Sequence, residues 1–136
     1  RRILRAGLAD APGHVPMARL YAALAAEAGD TGAAVAALEQ ARQAREAPPP
    51  ALDAQLAALY RARGQHRQAL ARYQALAEAQ PEAGRWQAGL ALAAEGAGQA
   101  SQALAAWERV TADEALPDAV RRYAEARIET LREEAP

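Results

Sequence analysis

Histidines and carboxylates are the side chains from which an active site would most readily be built, and they are sparse in this chain of 136 residues. His14 and His66 are the only histidines, and neither has a second ligand at a spacing typical of metal sites. Asp113 and Glu114 are adjacent, so on a helix their side chains would point in different directions. We therefore predict structural roles for both histidines and a solvated surface for the two acids.

Other reactive side chains and cofactor loops give no stronger signal. Ser101 and Thr111 have no base at a recognisable spacing, and neither a P-loop nor a GxGxxG motif is present. The glycine pair Gly96 and Gly98 is better explained as the end of a helix. The chain has no cysteine, which excludes a disulfide framework and leaves the cellular compartment open. We predict no enzyme activity, no cofactor and no metal.

The charge balance limits the partners. The net charge is −1, which argues against a general polyanion binder, and we predict no nucleic acid. No apolar run approaches the ~20 residues of a membrane span, so we expect no direct membrane insertion of this fragment. The most basic stretch contains four arginines, which would either pair with acids on their own helices or remain solvated. They are Arg61, Arg63, Arg67 and Arg72.

An internal repeat of about 34 residues organises the chain. Gly29, Gly64 and Gly98 are spaced 35 and 34 residues apart. An apolar residue lies eight positions before each glycine, an alanine lies five positions after it, and a large apolar residue lies nine positions after it. These are, in order, Tyr21, Leu56 and Leu90, then Ala34, Ala69 and Ala103, then Leu38, Tyr73 and Trp107.

Each recurring position has a physical reason. Glycine tolerates the positive φ at which a helix stops and turns. A small alanine lets two helix backbones approach closely, and the large residue one turn later fills the space beside them. Pro81 and the Pro48–Pro50 run cannot continue a helix. The pattern therefore predicts antiparallel helix hairpins with turns at the three glycines, and it buries Ala69 between paired helices.

These positions resemble the tetratricopeptide repeat family, whose unit is a helix–turn–helix of about 34 residues. The middle unit carries the resemblance best, through Leu56, Tyr60, Gly64, Ala69, Leu70, Tyr73 and Pro81. The resemblance implies an all-α fold, a right-handed superhelical stack of antiparallel hairpins with about seven helices. It divides a single domain, 1–136, into a truncated repeat over 1–14, three repeats over 15–49, 50–83 and 84–116, and a capping helix with a tail over 117–136.

The two ends of this stack are incomplete in different ways. Ile3, Leu4 and Leu8 would form one apolar side of a helix whose hairpin partner precedes Arg1. Because Arg1 is not an initiator methionine, we expect the chain to begin inside a longer protein. In the capping helix, the apolar side is predicted to contain Ala119, Tyr123, Ala126 and Leu131, with Arg122, Glu125 and Glu129 solvated.

The resemblance also implies a function, namely a non-catalytic scaffold that binds a protein or peptide ligand in a concave groove. Family positions that face such ligands project onto Arg19, Gln55, Arg61, Arg85, Leu92, Glu95 and Arg122. An alternative is self-association, such as a homodimer through the N-terminal helix. The segments Glu82–Trp86 and Arg121–Arg127 also resemble C-terminal repeats of bacterial pilus-biogenesis proteins of the mannose-sensitive haemagglutinin type, which would imply a role in envelope, pilus or secretion assembly.

Overall fold

The computed structural model describes residues 14–46 and 48–134, together with Ile3, Arg5 and Gly7. Leu4, Leu8, Pro12 and Gly13, to which the sequence assigned a helix and its stop, lie outside the described residues. Ile3, Arg5 and Gly7 are helical, as predicted for the N-terminal segment. Over the described range there are seven further α-helices and no strand, which confirms the all-α class.

The helices fall into two compact units, Arg1–Arg63 and Gly64–Pro136. The first unit contains α1 (Val15–Glu27), α2 (Thr31–Gln43) and α3 (Pro50–Ala62). The second contains α4 (His66–Ala79), α5 (Gly84–Gly96), α6 (Ala100–Ala112) and α7 (Asp118–Glu134). The division between the units falls within the predicted 50–83 repeat, and the repeat boundaries remain a prediction.

The three marker glycines adopt the predicted backbone. Gly29, Gly64 and Gly98 have φ values of 83°, 76° and 76°, where a side chain would be strained. After α1, the amide of Asp30 donates to the Ala25 carbonyl at 2.8 Å and that of Gly29 to the Ala26 carbonyl at 3.0 Å. This pair of bonds is a Schellman motif, which satisfies carbonyls that the helix end leaves free.

Helix starts are fixed by side chains and by proline. Asp30 accepts a hydrogen bond from the Ala33 amide at 3.2 Å and caps α2. Pro50 occupies the first turn of α3, where its missing N–H costs nothing. The end of α2 does not depend on proline, because the helix closes with a cap at Ala44 before it reaches the proline run.

Alanine-lined contacts form the core of each unit. Ala34, Ala69 and Ala103 are fully buried, as the spacing predicted. For Ala34 and Ala103 this agrees with the close packing of α2 on α1 and of α6 on α5. Leu38 and Trp107 are 0% and 1% exposed, which also confirms the large apolar position. In α2 and α6 the shared spacing thus places a small and a large buried residue on the second helix of a hairpin, and these set the distance to the first helix.

The apolar side predicted for α7 was largely wrong. Tyr123 is 51% exposed, Ala119 and Ala126 are also exposed, and of the predicted set only Leu131 is buried. The buried residues of α7, which packs on α6, are instead Ala124, Ile128 and Leu131. Burial of Ile128 replaces that of the alanines Ala119 and Ala126, which removes more apolar area from water, while the Tyr123 ring still contacts Trp107 of α6 from a half-exposed position.

Candidate partner-binding surfaces

In the first unit, Arg19 of α1 and Gln55 of α3 lie side by side. The Arg19 Nε donates to Gln55 Oε1 at 3.0 Å, and Gln55 Nε2 donates to the Arg19 carbonyl at 3.1 Å. Arg19 is exposed and Gln55 half-buried. This exchange brings two of the predicted ligand-facing residues together on the first helices of neighbouring hairpins.

Arg61, the third predicted residue of this unit, lies in the last turn of α3 and is exposed. It forms no ion pair with any residue of the described part of the chain. Ala23 of α1 and Ala58 of α3 are exposed as well. The surface around Arg61 therefore combines an exposed guanidinium with the small side chain of Ala58, one turn before it on α3.

The opposite side of α3 is fixed by polar contacts to α2. Arg42 Nε donates to Asp53 Oδ1 at 2.9 Å, and the Asp53 residue is only 8% exposed. The Tyr60 hydroxyl donates to the Glu39 carboxylate. The salt bridge and the hydrogen bond orient α3, so that Gln55 faces α1 while Asp53 faces α2.

In the second unit, Arg85 lies in the first turn of α5 and is exposed. Its guanidinium carbon is 4.4 Å from the centroid of the Trp86 ring, a cation–π contact. The indole of Trp86 in turn donates to Gln80 Oε1 at 2.7 Å. Arg85 also borders a shallow cavity of about 530 Å³ at the turn between α4 and α5. This arginine is held in place by stacking and keeps its donors available.

Glu95 has a different role from the other predicted residues. Its carboxylate accepts a hydrogen bond from the buried Trp107 indole at 2.7 Å and from Arg127 Nε at 3.1 Å. Its side chain is 19% exposed. The hydrogen bond to Glu95 raises the pKa of the Arg127 guanidinium above its ordinary value, against the opposing effect of desolvation. Glu95 therefore joins α5 to α6 and α7.

Leu92 and Arg122 complete the predicted set. Leu92 is half-buried on α5, and Arg122 is exposed on α7 without an ion pair to any described residue. Sequence reasoning missed Arg127, although a signal was present. Glu95 is the only acid in α5 and directly follows the apolar run Leu90–Ala94, and a carboxylate that is partly buried beside such a run needs a hydrogen-bonding partner.

The histidines and acids considered for catalysis have structural contacts. His14 caps α1, since its Nδ1 accepts a hydrogen bond from the Met17 amide at 3.2 Å. The His66 ring packs directly on Gly96, where a methyl group would collide with it. Asp113 Oδ1 accepts from the Ala115 amide at 3.0 Å. Across the described residues, no three His, Asp or Glu side chains cluster in a way that could hold a metal ion.

Comparison with known proteins gives matches in structure alone. No protein-family model matches the chain, and no curated protein matches it. The crystal structure of MamA superimposes with a TM-score of 0.73 at 13% sequence identity, covering 97% of this chain and 84% of that one. The MamA RS-1 ArsTM double mutant gives a TM-score of 0.76 at 16% identity, covering 97% and 81%.

At these identities the likeness shows the fold. Both similar structures are tetratricopeptide-like, and their superposition on this chain supports an all-α helical repeat fold. No described helix is both long enough and apolar enough to span a membrane. The chain has a tetratricopeptide-like helical repeat fold.

Proposed function

We propose that this chain is a non-catalytic scaffold that binds an acidic peptide segment or partner helix on the first helices of its hairpins. This is the face that the tetratricopeptide resemblance assigns to the concave groove. The observation that supports the proposal is the exposure of four arginines at projected positions, none of which forms an ion pair with a described residue. The four are Arg19, Arg61, Arg85 and Arg122, of which Arg19 is bonded to Gln55.

An acidic ligand follows from these side chains. An exposed guanidinium offers two parallel N–H donors that match a carboxylate, and such bidentate pairs are stronger than neutral hydrogen bonds. Leu92 would provide an apolar anchor in the second unit. Glu95 would act indirectly, because its carboxylate is already shared by Trp107 and Arg127 and supports the helices that carry Arg85 and Arg122.

Charge reversal tests the proposal in each unit separately. Arg85→Glu with Arg122→Glu changes the second unit, and Arg19→Glu with Arg61→Glu changes the first. Arg63→Glu with Arg67→Glu is the matched control, since both arginines are exposed and lie outside the projected face. Partners are captured from the source cell and compared by mass spectrometry, after circular dichroism has shown equal helical content. Loss of partners in a site variant but not in the control supports the proposal, and identical partner sets in all proteins refute it.

A second candidate function is self-association through the N-terminal helical segment. It is favoured by Ile3, which is 86% exposed in the first unit. Sedimentation velocity at several concentrations tests it, with Ile3→Asp as the variant and Leu20→Asp as the control at another exposed apolar residue. A concentration-dependent dimer that Ile3→Asp alone abolishes would support a homodimer. A monomer throughout would reject it.

A role in bacterial envelope, pilus or secretion assembly would follow from the resemblance of Glu82–Trp86 and Arg121–Arg127 to pilus-biogenesis repeats. We propose it as the wider context of the scaffold. Its test is the identity of the captured partners, because a set without any envelope or secretion component would contradict this assignment.

A further inference from the structure

A groove of about 640 Å³ lies between α4 and α6 in the second unit. Its floor is formed by Gln87 and Leu90 of α5, which are 9% and 8% exposed. Ala77 of α4 and Ala105 of α6 line its two sides, and these small residues keep it open. None of the residues projected onto the concave face lines this groove, so it is a separate surface from the one proposed above.

The floor of the groove contains an unsatisfied polar group. Gln87 Oε1 is enclosed and has no hydrogen-bond donor among the described residues. A buried amide carbonyl without a donor is unfavourable, and such groups are uncommon in folded proteins. The last torsion of a glutamine side chain is broad, so the amide can turn toward the groove. An occupant with an N–H group would then satisfy this carbonyl, which a purely apolar occupant would not.

The rim of the groove carries one charge on each side. Glu78 of α4 and Arg109 of α6 both line it and are exposed. Neither forms an ion pair with another residue that the structure describes. Gln74 and Gln102 add an amide on each side. The rim therefore suits an occupant with one acidic and one basic side chain and with hydrogen-bonding groups between them.

The dimensions set the length of the occupant. Gln102 and Arg109 are two turns apart on α6, and at 1.5 Å per residue this is roughly 10 Å. An extended peptide rises about 3.3 Å per residue, so three or four residues cover that distance. Successive side chains of an extended peptide point to opposite sides. An acidic residue next to a basic residue would thus reach Arg109 on one side and Glu78 on the other.

We propose that this groove binds a short extended peptide segment containing an adjacent acidic and basic residue. A backbone N–H of the segment donates to Gln87 Oε1, the acidic side chain pairs with Arg109, and the basic side chain pairs with Glu78. The site is a second peptide-binding surface, independent of the arginines on the first helices.

The probe for this site is the capped tetrapeptide acetyl-Ala-Asp-Lys-Ala-amide, titrated into the whole chain and followed by two-dimensional amide NMR. The Gln87 side-chain amide is assigned by its disappearance in Gln87→Met, which keeps the length of the side chain and removes the carbonyl. We expect saturable shifts of this amide at millimolar peptide. The same peptide with its backbone nitrogens methylated should bind about tenfold more weakly, because it cannot donate to the carbonyl.

Two variants test the contacts individually. In Gln87→Met, the methylated and unmethylated peptides should bind equally, since the acceptor is gone. In Arg109→Glu, which leaves two acids on the rim, acetyl-Ala-Lys-Lys-Ala-amide should bind better than the original probe. The Arg85→Glu with Arg122→Glu protein should bind the probe as the parent does, which separates this site from the concave face.

Three outcomes would overturn the proposal. The first is no saturable shift at Gln87 with any of the probes. The second is equal binding of the methylated and unmethylated peptides to the parent. The third is an unchanged preference in Arg109→Glu. Any of these results would refute the peptide site.

Discussion

The indole nitrogen of Trp107 donates a 2.7 Å hydrogen bond to the carboxylate of Glu95, and the same carboxylate accepts from Arg127. One acid on α5 therefore holds both α6 and α7. The ring of Tyr123 completes the arrangement, with its centroid 5.5 Å from that of Trp107 at an interplanar angle of 68°. The stability of the C-terminal half should depend strongly on this one side chain.

Two substitutions of Glu95 should therefore destabilise the chain to different extents. Glu95→Gln keeps an acceptor for Trp107 but removes the charge that faces Arg127, and we expect a loss of about 1 kcal/mol. Glu95→Ala also leaves the buried indole N–H unsatisfied, with an expected loss of about 2–3 kcal/mol. Urea unfolding measured by tryptophan fluorescence and circular dichroism gives both values. The control is Glu129→Gln on the exposed side of α7, and an effect of Glu95→Ala no larger than that control would contradict the prediction.

The contribution of Arg127 should be insensitive to pH in the neutral range. Its hydrogen bond to Glu95 raises the pKa of the guanidinium in the folded state. A raised folded-state pKa gives stability that is fully present below the unfolded pKa and is lost only as the pH rises through the folded pKa, which for arginine lies far above the neutral range. The difference in unfolding free energy between the parent and Arg127→Met should then stay constant between about pH 7 and pH 9. A difference that falls steadily across this interval would disprove the assignment.

Enlarging Ala69 of α4 should destabilise the folded chain. The residue is fully buried, and Ala69→Leu is expected to cost ~1–3 kcal/mol through overpacking. Ala71→Leu is the matched control, because it adds the same atoms to the same helix at an exposed position. Thermal and urea unfolding of both variants and the parent measure the difference in stability. Equal midpoints for Ala69→Leu and the parent would mean that the helix contact at this position is looser than described.

Two glycine-to-alanine substitutions should change the free energy of unfolding in opposite directions. Alanine ordinarily stabilises a helix interior by about 0.5–1 kcal/mol over glycine. Gly32 in α2 has open space around the position of a Cβ, so Gly32→Ala should stabilise the chain. At Gly89 in α5 a Cβ would lie 2.7 Å from Cδ1 and Cζ of Tyr73, so Gly89→Ala should destabilise it despite the better propensity. Urea midpoints that move in the same direction for both variants would count against the close approach of Tyr73.

The sequence determined the repeat and its turns because both rest on local physics. Positive φ selects glycine at Gly29, Gly64 and Gly98 wherever a helix must end and reverse, and this requirement can be seen without the rest of the fold. The spacing of Ala69 and Trp107 from their glycines fixes which side of a helix they occupy, and both proved to be buried. Helix ends were less certain, since the end of α2 depends on caps rather than on the proline run after it.

The tertiary structure alone decided which side chains share a partner. The sequence placed Glu95 among exposed ligand-facing positions, whereas its carboxylate is committed to Trp107 and Arg127 from two other helices. The periodicity of the sequence also could not predict the rotation of α7, because more than one side of that helix carries apolar residues. Packing on α6 determines that Ile128 is buried and that Tyr123 is half-exposed. The unsatisfied carbonyl of Gln87 is another feature that the sequence could not predict. Gln87 Oε1 is buried because α4, α5 and α6 pack together around it, and the residue pattern of α5 alone does not show that packing.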